Sequence, residues 1–302
     1  MSGKARRNPA TVTPQSKISL GVLFTVLAVG CTAAVDSVSK YFTKDLHAVV
    51  LVWGYFVAIF LQVVIIGLAT RQPMATLATN HRGLHFARAG FLVLAIAFLF
   101  VGLTTMQVAD AVAISFTTSS FVVVLSATIL GERVGPRRWF AVGAGLIGVL
   151  VIVRPGGGLF QWASLAVVLS AFFMGCFHIA TRKLIATNST ATMLFYTAAF
   201  GLVWSSLLVP FFWATPTVLH WSIFLSTGFF GVAAHFCFIK ASEMAEASLL
   251  APFIYAKLIW GILFGFLLFG QLPNFNTLAG CTLIIAAGLY VFYRERQAVM
   301  PT

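Results

Sequence analysis

The residue whose chemistry most needs an explanation is a lysine near the centre of a long apolar segment. The segment LLAPFIYAKLIWGILFGFLLFG runs from Leu249 to Gly270, and Lys257 is its only charged residue. An ammonium at the centre of a membrane segment costs at least about 2.5 kcal/mol on insertion scales, so such groups face a cavity or a partner. The position predicts that Lys257 binds an anionic group or takes part in proton coupling. The structural alternative is an ion pair with another helix.

Aromatic and hydroxyl side chains could complete a binding site around this lysine. Tyr255 and Trp260 flank Lys257 and could stack on a flat or apolar molecule, although core packing is the default for any one ring. Pro252 frees a backbone carbonyl and predicts a helix break just before the lysine. The run SFTTSS places hydroxyls on every face of another apolar segment, where each can also bond to its own helix. The predicted substrate-binding residues are Lys257, Tyr255, Trp260, Thr117, Thr118, Ser119, Phe98 and His235.

Four further residues suggest a gate at each end of the same pathway. Asp36 and Lys40 lie four residues apart with the acid first, which favours an ion pair along one helix face. Alignment of the two halves of the chain places His178 opposite Asp36 and Arg182 opposite Lys40. We predict that these four residues act in gating or coupling; polar residues at the ends of two spans are the alternative. His235 is either a group whose charge changes near neutral pH or a neutral buried histidine.

The composition requires that these side chains be held by helices that face lipid. The chain has 302 residues, of which 60% are hydrophobic and 9% charged, whereas soluble domains carry about 25% charged residues. A membrane helix needs roughly 20 apolar residues, and ten such stretches can be placed. The predicted spans are 18–42, 48–70, 84–106, 109–131, 137–154, 159–183, 190–212, 217–241, 246–270 and 274–293.

The net charge of +12 reflects membrane topology rather than nucleic-acid binding. With a cytoplasmic N-terminus, fifteen of the 19 lysines and arginines fall on the cytoplasmic side, and the exceptions are Lys40, Lys44, Arg154 and Lys257. This positive-inside bias predicts a multi-pass protein of the cell inner (plasma) membrane with both termini in the cytoplasm. Arg88, close to the start of the third span, is expected to snorkel to the cytoplasmic surface.

The two halves of the chain are related in sequence. Nearly the same shift along the chain aligns Asp110 with Glu246 and Gly131 with Gly270. Each half contains five spans, and because five is odd the second half enters the membrane upside down. We therefore predict an all-α integral membrane protein with ten transmembrane helices arranged as two inverted five-helix repeats. The repeats are predicted at 18–154 and 159–293, between cytoplasmic tails at 1–17 and 294–302. Inverted repeats are typical of secondary transporters, which bind substrate where the repeats meet.

Three segments carry a resemblance to a known family. They are DSVSKYF at 36–42, LSATILGERVGPRRWFAVGAGLIGVLVIVRPG at the end of the first half, and EASLLAPFIYAKLIWGILFGFLLFGQLPNFNTLAGCTLIIAAGLYV at the end of the second. Over about residues 18–295 the chain resembles the drug/metabolite transporter superfamily, and within it the ten-helix EamA-type transporters. The resemblance implies a five-plus-five helix layout and transport of amino acids, other metabolites, nucleotide-like compounds or vitamins. Lys257 stands where such transporters often carry an uncharged polar residue.

The function that these patterns favour is secondary-active transport of a small amphipathic metabolite by alternating access around a central cavity. Amino acids or related compounds fit best, with Lys257 meeting the anionic group; a nucleoside-, vitamin- or drug-like metabolite is the alternative. An intramembrane lipid-modifying enzyme would need a nucleophile with a base or a metal cluster, and the sequence has no HExxH, GxSxG or Walker motif. A channel would need a more continuous polar pore. We therefore predict no enzymatic activity, no cofactor and no metal.

The predicted partners are a small-molecule substrate and the lipid bilayer, with no nucleic acid. The buried lysine and the histidines make protons a candidate coupling ion. The small-residue segments GAGLIG (143–148) and LAGCTLIIAAGLY (278–290) predict a packing scaffold that is compatible with either a monomer or a homodimer.

Overall fold

The structure is a computed structural model that describes residues 14–70, 78–131, 134–153, 162–244, 250 and 253–299. All regular secondary structure in these ranges is helical. The predicted break at Pro252 lies outside them. The helices are α1 (Pro14–Phe42), α2 (Ala48–Ala69), α3 (Arg82–Leu103), α4 (Val108–Ser115), α5 (Thr117–Ile129), α6 (Pro136–Val153), α7 (Trp162–Leu184), α8 (Thr190–Leu208), α9 (Val218–Met244), α10 (Ala256–Phe269) and α11 (Phe275–Val299).

Ten helical segments in the described ranges have the composition of membrane spans. Seven are long and apolar enough to cross a bilayer, and one of these, Val108–Ile129, is formed by α4 and α5 together. Three shorter apolar segments, Val142–Ile152, Ala256–Phe269 and Phe275–Ala287, lie where the remaining spans were predicted. The predicted all-α membrane fold is confirmed.

Large apolar side chains cover the outside of the bundle. Trp162, Phe211 and Phe275 are all exposed, each with at least 80% of its surface accessible. Water-soluble monomers rarely expose large contiguous apolar patches. The outer surface therefore suits lipid, as the composition predicts.

The ends of the spans define two faces of the bundle. We call the face at which α1 begins the near face and the face at which α1 ends the far face. Successive spans run in opposite directions, so α3 ends at the far face and α7 at the near face. Two long-range contacts agree with this arrangement. Lys40, near the end of α1, reaches Met106 just after α3, and Arg88, near the start of α3, reaches Thr181 near the end of α7.

The packing of the helices repeats itself about a two-fold axis. Helix α1 packs along α9, and α3 packs along α7. Because α7 is the counterpart of α1 and α9 is the counterpart of α3, these two contacts are the same contact formed twice. The pairs α2–α8, α4–α10 and α6–α11 each join a helix to its own counterpart. This is the packing that two inverted five-helix repeats require.

Two of the spans that carry predicted binding residues are interrupted at equivalent positions. Phe116 separates α4 from α5, and Tyr255 precedes α10; both have φ −65° and ψ −16°. After α5 and α10 the chain turns through Gly131 at φ 66° and Gly270 at φ 64°, a left-handed conformation that glycine adopts without steric cost. The same shift along the chain relates Phe116 to Tyr255 and Gly131 to Gly270. Residues that are aligned between the two halves therefore have the same backbone conformation.

Helices α6 and α11 approach each other closely through small residues. A Cβ atom on Gly280 would lie 2.4 Å from Cγ1 of Ile152, so only glycine fits there. Close approach of this kind gives the dispersion contacts that hold helices together in lipid. The prediction of a packing scaffold agrees with this contact.

Candidate functional site

Lys257 forms an ion pair with Asp36 across the interface of α10 and α1. The distance from Nζ of Lys257 to Oδ2 of Asp36 is 2.9 Å, and the two side chains are 18% and 9% exposed. Lys257 is the second residue of α10, directly after the interruption at Tyr255. The structure therefore contains the interhelical ion pair that the sequence left open as the structural alternative, but the ammonium is not sealed from its surroundings.

This ion pair is close in distance but poorly aligned. Among the described residues, Oδ2 of Asp36 has no hydrogen-bond donor with acceptable geometry, although the Lys257 ammonium lies beside it. A buried ion pair offsets the loss of hydration only when its geometry is good and its remaining hydrogen bonds are made.

Lys40 does not pair with Asp36, so the predicted ion pair along α1 is wrong. Its ammonium donates to the carbonyl oxygen of Met106 and, at 3.5 Å, to Oε1 of Gln271. It also lies 5.3 Å from the ring centroid of Phe269. The long side chain reaches the far face, where helix ends leave carbonyl groups without partners. Asp36 is then free to pair with α10, and Lys40 ties α1 to the ends of α3 and α10.

The contacts of Lys40 form a cross-link between α1 and the end of α10. A cavity of about 340 Å³ lies beside this cross-link at the far face. Its lining residues are Tyr41, Lys44, Asp45, Leu268 and Phe269, from the far ends of α1 and α10. Phe269 is shared between the cavity and the contact with Lys40. The cavity therefore adjoins the contact between Lys40 and Phe269.

Tyr255 lies against its own counterpart in the first repeat. The ring centroids of Phe116 and Tyr255 are 5.1 Å apart in an edge-to-face arrangement. Contact between equivalent residues places them on the two-fold axis, where the repeats meet. Tyr255, one member of this aromatic pair, lies two residues before Lys257 in the chain.

The hydroxyls of the SFTTSS run divide into bonded and available groups. Thr117 donates to the carbonyl of Ile114 at 2.6 Å, and Ser119 donates to the carbonyl of Phe116 at 2.7 Å. These bonds satisfy carbonyl groups beside the interruption. Half-buried Thr118 has no such bond to any residue that the structure describes. It is the counterpart of Lys257 in the alignment of the two halves, so the available hydroxyl occupies the place that the ammonium has in the second repeat.

Two predicted binding residues serve helix contacts. The indole of Trp260 packs against α1 at Gly30, where a Cβ atom would lie 3.1 Å from the ring. Phe98 stacks on Phe173 of α7, with ring centroids 5.8 Å apart and planes 5° apart. Among the described residues, neither ring makes an aromatic contact with Phe116 or Tyr255.

Arg88 is buried in the near half of the bundle, so the expectation that it snorkels is wrong. It is 2% exposed. Its Nε donates to Thr181 at 2.7 Å, and its Nη1 donates to Thr197 at 2.8 Å and to the carbonyl of Met193 at 3.4 Å. The guanidinium also lies 4.6 Å from the ring centroid of Phe177. Hydroxyls of α7 and α8 replace water around the cation, so it has no need to reach the surface.

His178 and His235 lie near this arginine. Both are half-buried, and the charge of Arg88 acts on each of them. His235 of α9 has its ring centroid 6.3 Å from that of Phe177 of α7, and His178 is 5.4 Å from Phe238 of α9. The two helices thus meet here through aromatic and imidazole rings.

The structure therefore groups the polar residues into two clusters. The far cluster contains Asp36, Lys257 and Lys40, and the near cluster contains Arg88, His178 and His235. Arg182, predicted as a gate with His178, is exposed near the end of α7. The described residues contain no group of three His, Cys, Asp or Glu side chains placed to hold a metal ion.

The sequence did not identify Arg88 as a member of the near cluster or Gln271 as a partner of Lys40. Arg88 lies six residues inside an apolar helix, about 9 Å along its axis, and that depth is the signal that could have identified it. Gln271 follows the helix end and carries no comparable signal.

Comparison with known proteins gives the same fold and a class of relatives. The EamA-like transporter family matches this chain twice, over residues 19–154 and over residues 161–293. The S-adenosylmethionine uptake transporter of Rickettsia bellii (strain RML369-C) is 27% identical over 281 residues, which cover 93% of this chain and 96% of that protein. The riboflavin transporter of Vibrio cholerae serotype O1 is 30% identical over 285 residues, covering 92% and 94%.

One solved crystal structure shares the fold. It superposes with a TM-score of 0.64 at 19% sequence identity and covers 95% of this chain and 99% of its own. At this identity the likeness concerns the helix arrangement alone.

Proposed function

Because the chain belongs to the EamA-like transporter family of the drug/metabolite transporter superfamily, we propose that it is a secondary transporter of small amphipathic metabolites. Transport proceeds by alternating access between the two inverted repeats, 18–154 and 159–293. Related halves of this kind can exchange conformations, which converts an opening on one face into an opening on the other.

The observation that carries this proposal is the Asp36–Lys257 ion pair beside the interrupted helix. It joins α1 to α10 in the far half, and Lys40 adds a second link between the same elements. The equivalent positions in the near half are His178 and Thr118, which carry no opposite charges. The far side is therefore the closed side in this conformation, and opening it requires the ion pair to separate.

A zwitterionic substrate carries one charged group for each member of the separated ion pair. Its carboxylate replaces Asp36 beside Lys257, and its ammonium replaces Lys257 beside Asp36. An α-amino acid has both groups, and so does S-adenosylmethionine, which is a derivative of methionine. Exchange of one ion pair for two better-aligned contacts lets binding offset the cost of opening. Amino acids and their derivatives are thus the first substrate class.

A flat vitamin-like substrate is the second candidate. The Phe116–Tyr255 pair offers aromatic surface on the two-fold axis, and rings of this size contribute through offset or edge-to-face contacts. The identity of 30% to a riboflavin transporter supports the same class. Such a substrate would bind mainly through the aromatic pair and Thr118.

The near face is the cytoplasmic face under this proposal. The positive-inside distribution of lysine and arginine supports both termini in the cytoplasm and insertion in the cell inner membrane. Protons are the proposed coupling ion, with His178 as the coupling residue of the near half. The protein acts as a carrier and not as an enzyme.

The test is transport by the purified protein in liposomes. Counterflow of labelled S-adenosylmethionine, riboflavin and an amino-acid mixture is measured separately, with and without a proton gradient. Saturable counterflow of any of them supports the carrier. Linear, unsaturable flux would indicate a channel, and modification of liposome lipid without transport would indicate an enzyme.

A further inference from the structure

The near cluster contains a cation that differs from Lys257 in its partners. Arg88 is almost completely buried, and within the described residues its guanidinium bonds only to neutral acceptors: two threonine hydroxyls and one carbonyl. A buried charge is costly unless an opposite charge or a full set of hydrogen bonds compensates it. Among the described residues, this arginine has hydrogen-bond acceptors on one side and no carboxylate partner.

The contacts of the guanidinium leave one edge available. Nε and Nη1 are occupied by Thr181, Thr197 and Met193, while Nη2 has no acceptor in the part of the chain that the structure describes. The two hydroxyls come from α7 and α8, so they fix the plane of the guanidinium from two sides. A planar cation held in this way is suited to a carboxylate or a phosphate, which it can bind through charge-assisted hydrogen bonds.

The ring of Phe177 links Arg88 with side chains of α9. Phe177 lies against both the guanidinium and His235, and His178 points to Phe238 on the same side of α9. Both histidines keep part of their surface accessible. Arg88 of the first repeat therefore lies against rings of the second repeat in the near half.

We propose that Arg88 is an anion-binding residue of the transport pathway that receives a carboxylate or phosphate group of the substrate in the near half of the membrane. The inference rests on the proposed transport function and adds that the substrate bears an anionic group. Lys257 already has Asp36 as its counterion, so a substrate must compete for it. No carboxylate of the described residues competes for Arg88, so the anion gains the whole interaction there.

The experiment compares ligands that differ only in an anionic group. One pair is S-adenosylmethionine and its decarboxylated form, and the other is riboflavin 5′-phosphate and riboflavin. Binding to the full-length protein in detergent is measured for the wild type, Arg88→Gln and Arg88→Lys. Arg82→Gln is the matched control, because Arg82 is exposed on the same helix and its loss removes the same charge.

In the wild type, the member that carries the anionic group should bind at least about tenfold more tightly in at least one pair, as expected for a charge-assisted hydrogen bond. Arg88→Gln should reduce this preference, whereas the member without the anionic group keeps its affinity, which also shows that the variant is folded. Arg82→Gln should keep the preference. Arg88→Lys should also reduce the preference, because one ammonium cannot bond to both threonines and the ligand. If Arg88→Gln does not fold, the proposal is tested with Arg88→Lys alone.

The proposal is overturned if neither ligand pair shows a preference in the wild type, or if the Arg88 variants keep it. A structural role for Arg88 would weaken binding of both members of a pair equally. Saturable counterflow of a ligand without any anion preference would leave the proposed transport function standing and would end this inference alone.

Discussion

Phe116 and Tyr255 are the same residue position in two inverted copies, and their rings touch at a centroid distance of 5.1 Å. Each has the same backbone angles and each stands where a membrane span is interrupted. Contact between equivalent residues is possible only on the axis that relates the repeats. The interruptions therefore mark the centre of the molecule, and Lys257 follows one of them by two residues.

The helix ends related by this axis should respond alike to substitution. Gly131→Ala and Gly270→Ala each place a side chain at positive φ, which we expect to destabilise the protein by about 1 kcal/mol at either site. Thermal unfolding in detergent measures the effect. Gly143→Ala is the control, because Gly143 lies in α6 with open space around it and should be neutral or slightly stabilising. Unequal effects at the two glycines would contradict equivalent geometry.

Much of this fold was predictable because a membrane span depends on local composition. Length and hydropathy located the ten spans, and the alignment of the two halves related Gly131 to Gly270 before their backbone angles were known. The interruptions were harder to locate. The sequence pointed to Pro252, which lies outside the described residues. The interruption that the structure describes is at Tyr255, and its counterpart Phe116 has no proline near it in the sequence.

The partners of the buried charges were not predictable, since they come from remote helices. A local rule paired Asp36 with Lys40, but a carboxylate chooses among all cations that folding brings close, and α10 supplies Lys257. The environment of Arg88 depends on Thr181 and Thr197, which belong to the other half of the chain. No pattern around residue 88 reveals that hydroxyls will surround it.

The Asp36–Lys257 pair should show strong coupling in stability. Asp36→Asn and Lys257→Gln each leave a partly buried charge without its partner, so each should destabilise the protein by about 1–3 kcal/mol. The double variant should be more stable than the sum of the two losses predicts, because no charge then remains unpaired. Thermal or denaturant unfolding of all four proteins provides the comparison.

An exposed ion pair of the same type serves as the control. Lys240 and Glu243 are 2.6 Å apart with side chains 31% and 39% exposed, so the same cycle there should give a coupling below about 1 kcal/mol. Additive losses for Asp36 and Lys257 would show that the two charges do not depend on each other.

Locking the far side should stop transport. Lys40→Cys and Gln271→Cys, joined by a short reducible bifunctional thiol reagent, would fix α1 to the end of α10, since the native side chains already meet there. The background must first lose its native cysteines, which are Cys31, Cys176, Cys237 and Cys281. Counterflow should stop on cross-linking and return after reduction.

A cross-link within the packing scaffold should not have this effect. Phe140→Cys and Tyr290→Cys lie on α6 and α11, where the native rings are 6.2 Å apart, and the contact between these helices should keep its packing while the pathway opens. Transport that continues through a complete cross-link at the far side would contradict the gate. Transport that stops equally with both cross-links would indicate general rigidity rather than gating.

The central claim is that the substrate displaces Asp36 from Lys257, and counterflow by Lys257→Gln tests it most directly. Equal amounts of folded wild-type and variant protein are reconstituted, and saturable counterflow of the substrate identified with the wild type is measured. The account predicts that the variant loses at least about tenfold in transport efficiency, because the charge-assisted contact with the substrate anion is gone. Wild-type kinetics in the folded variant would contradict it and remove Lys257 from the site.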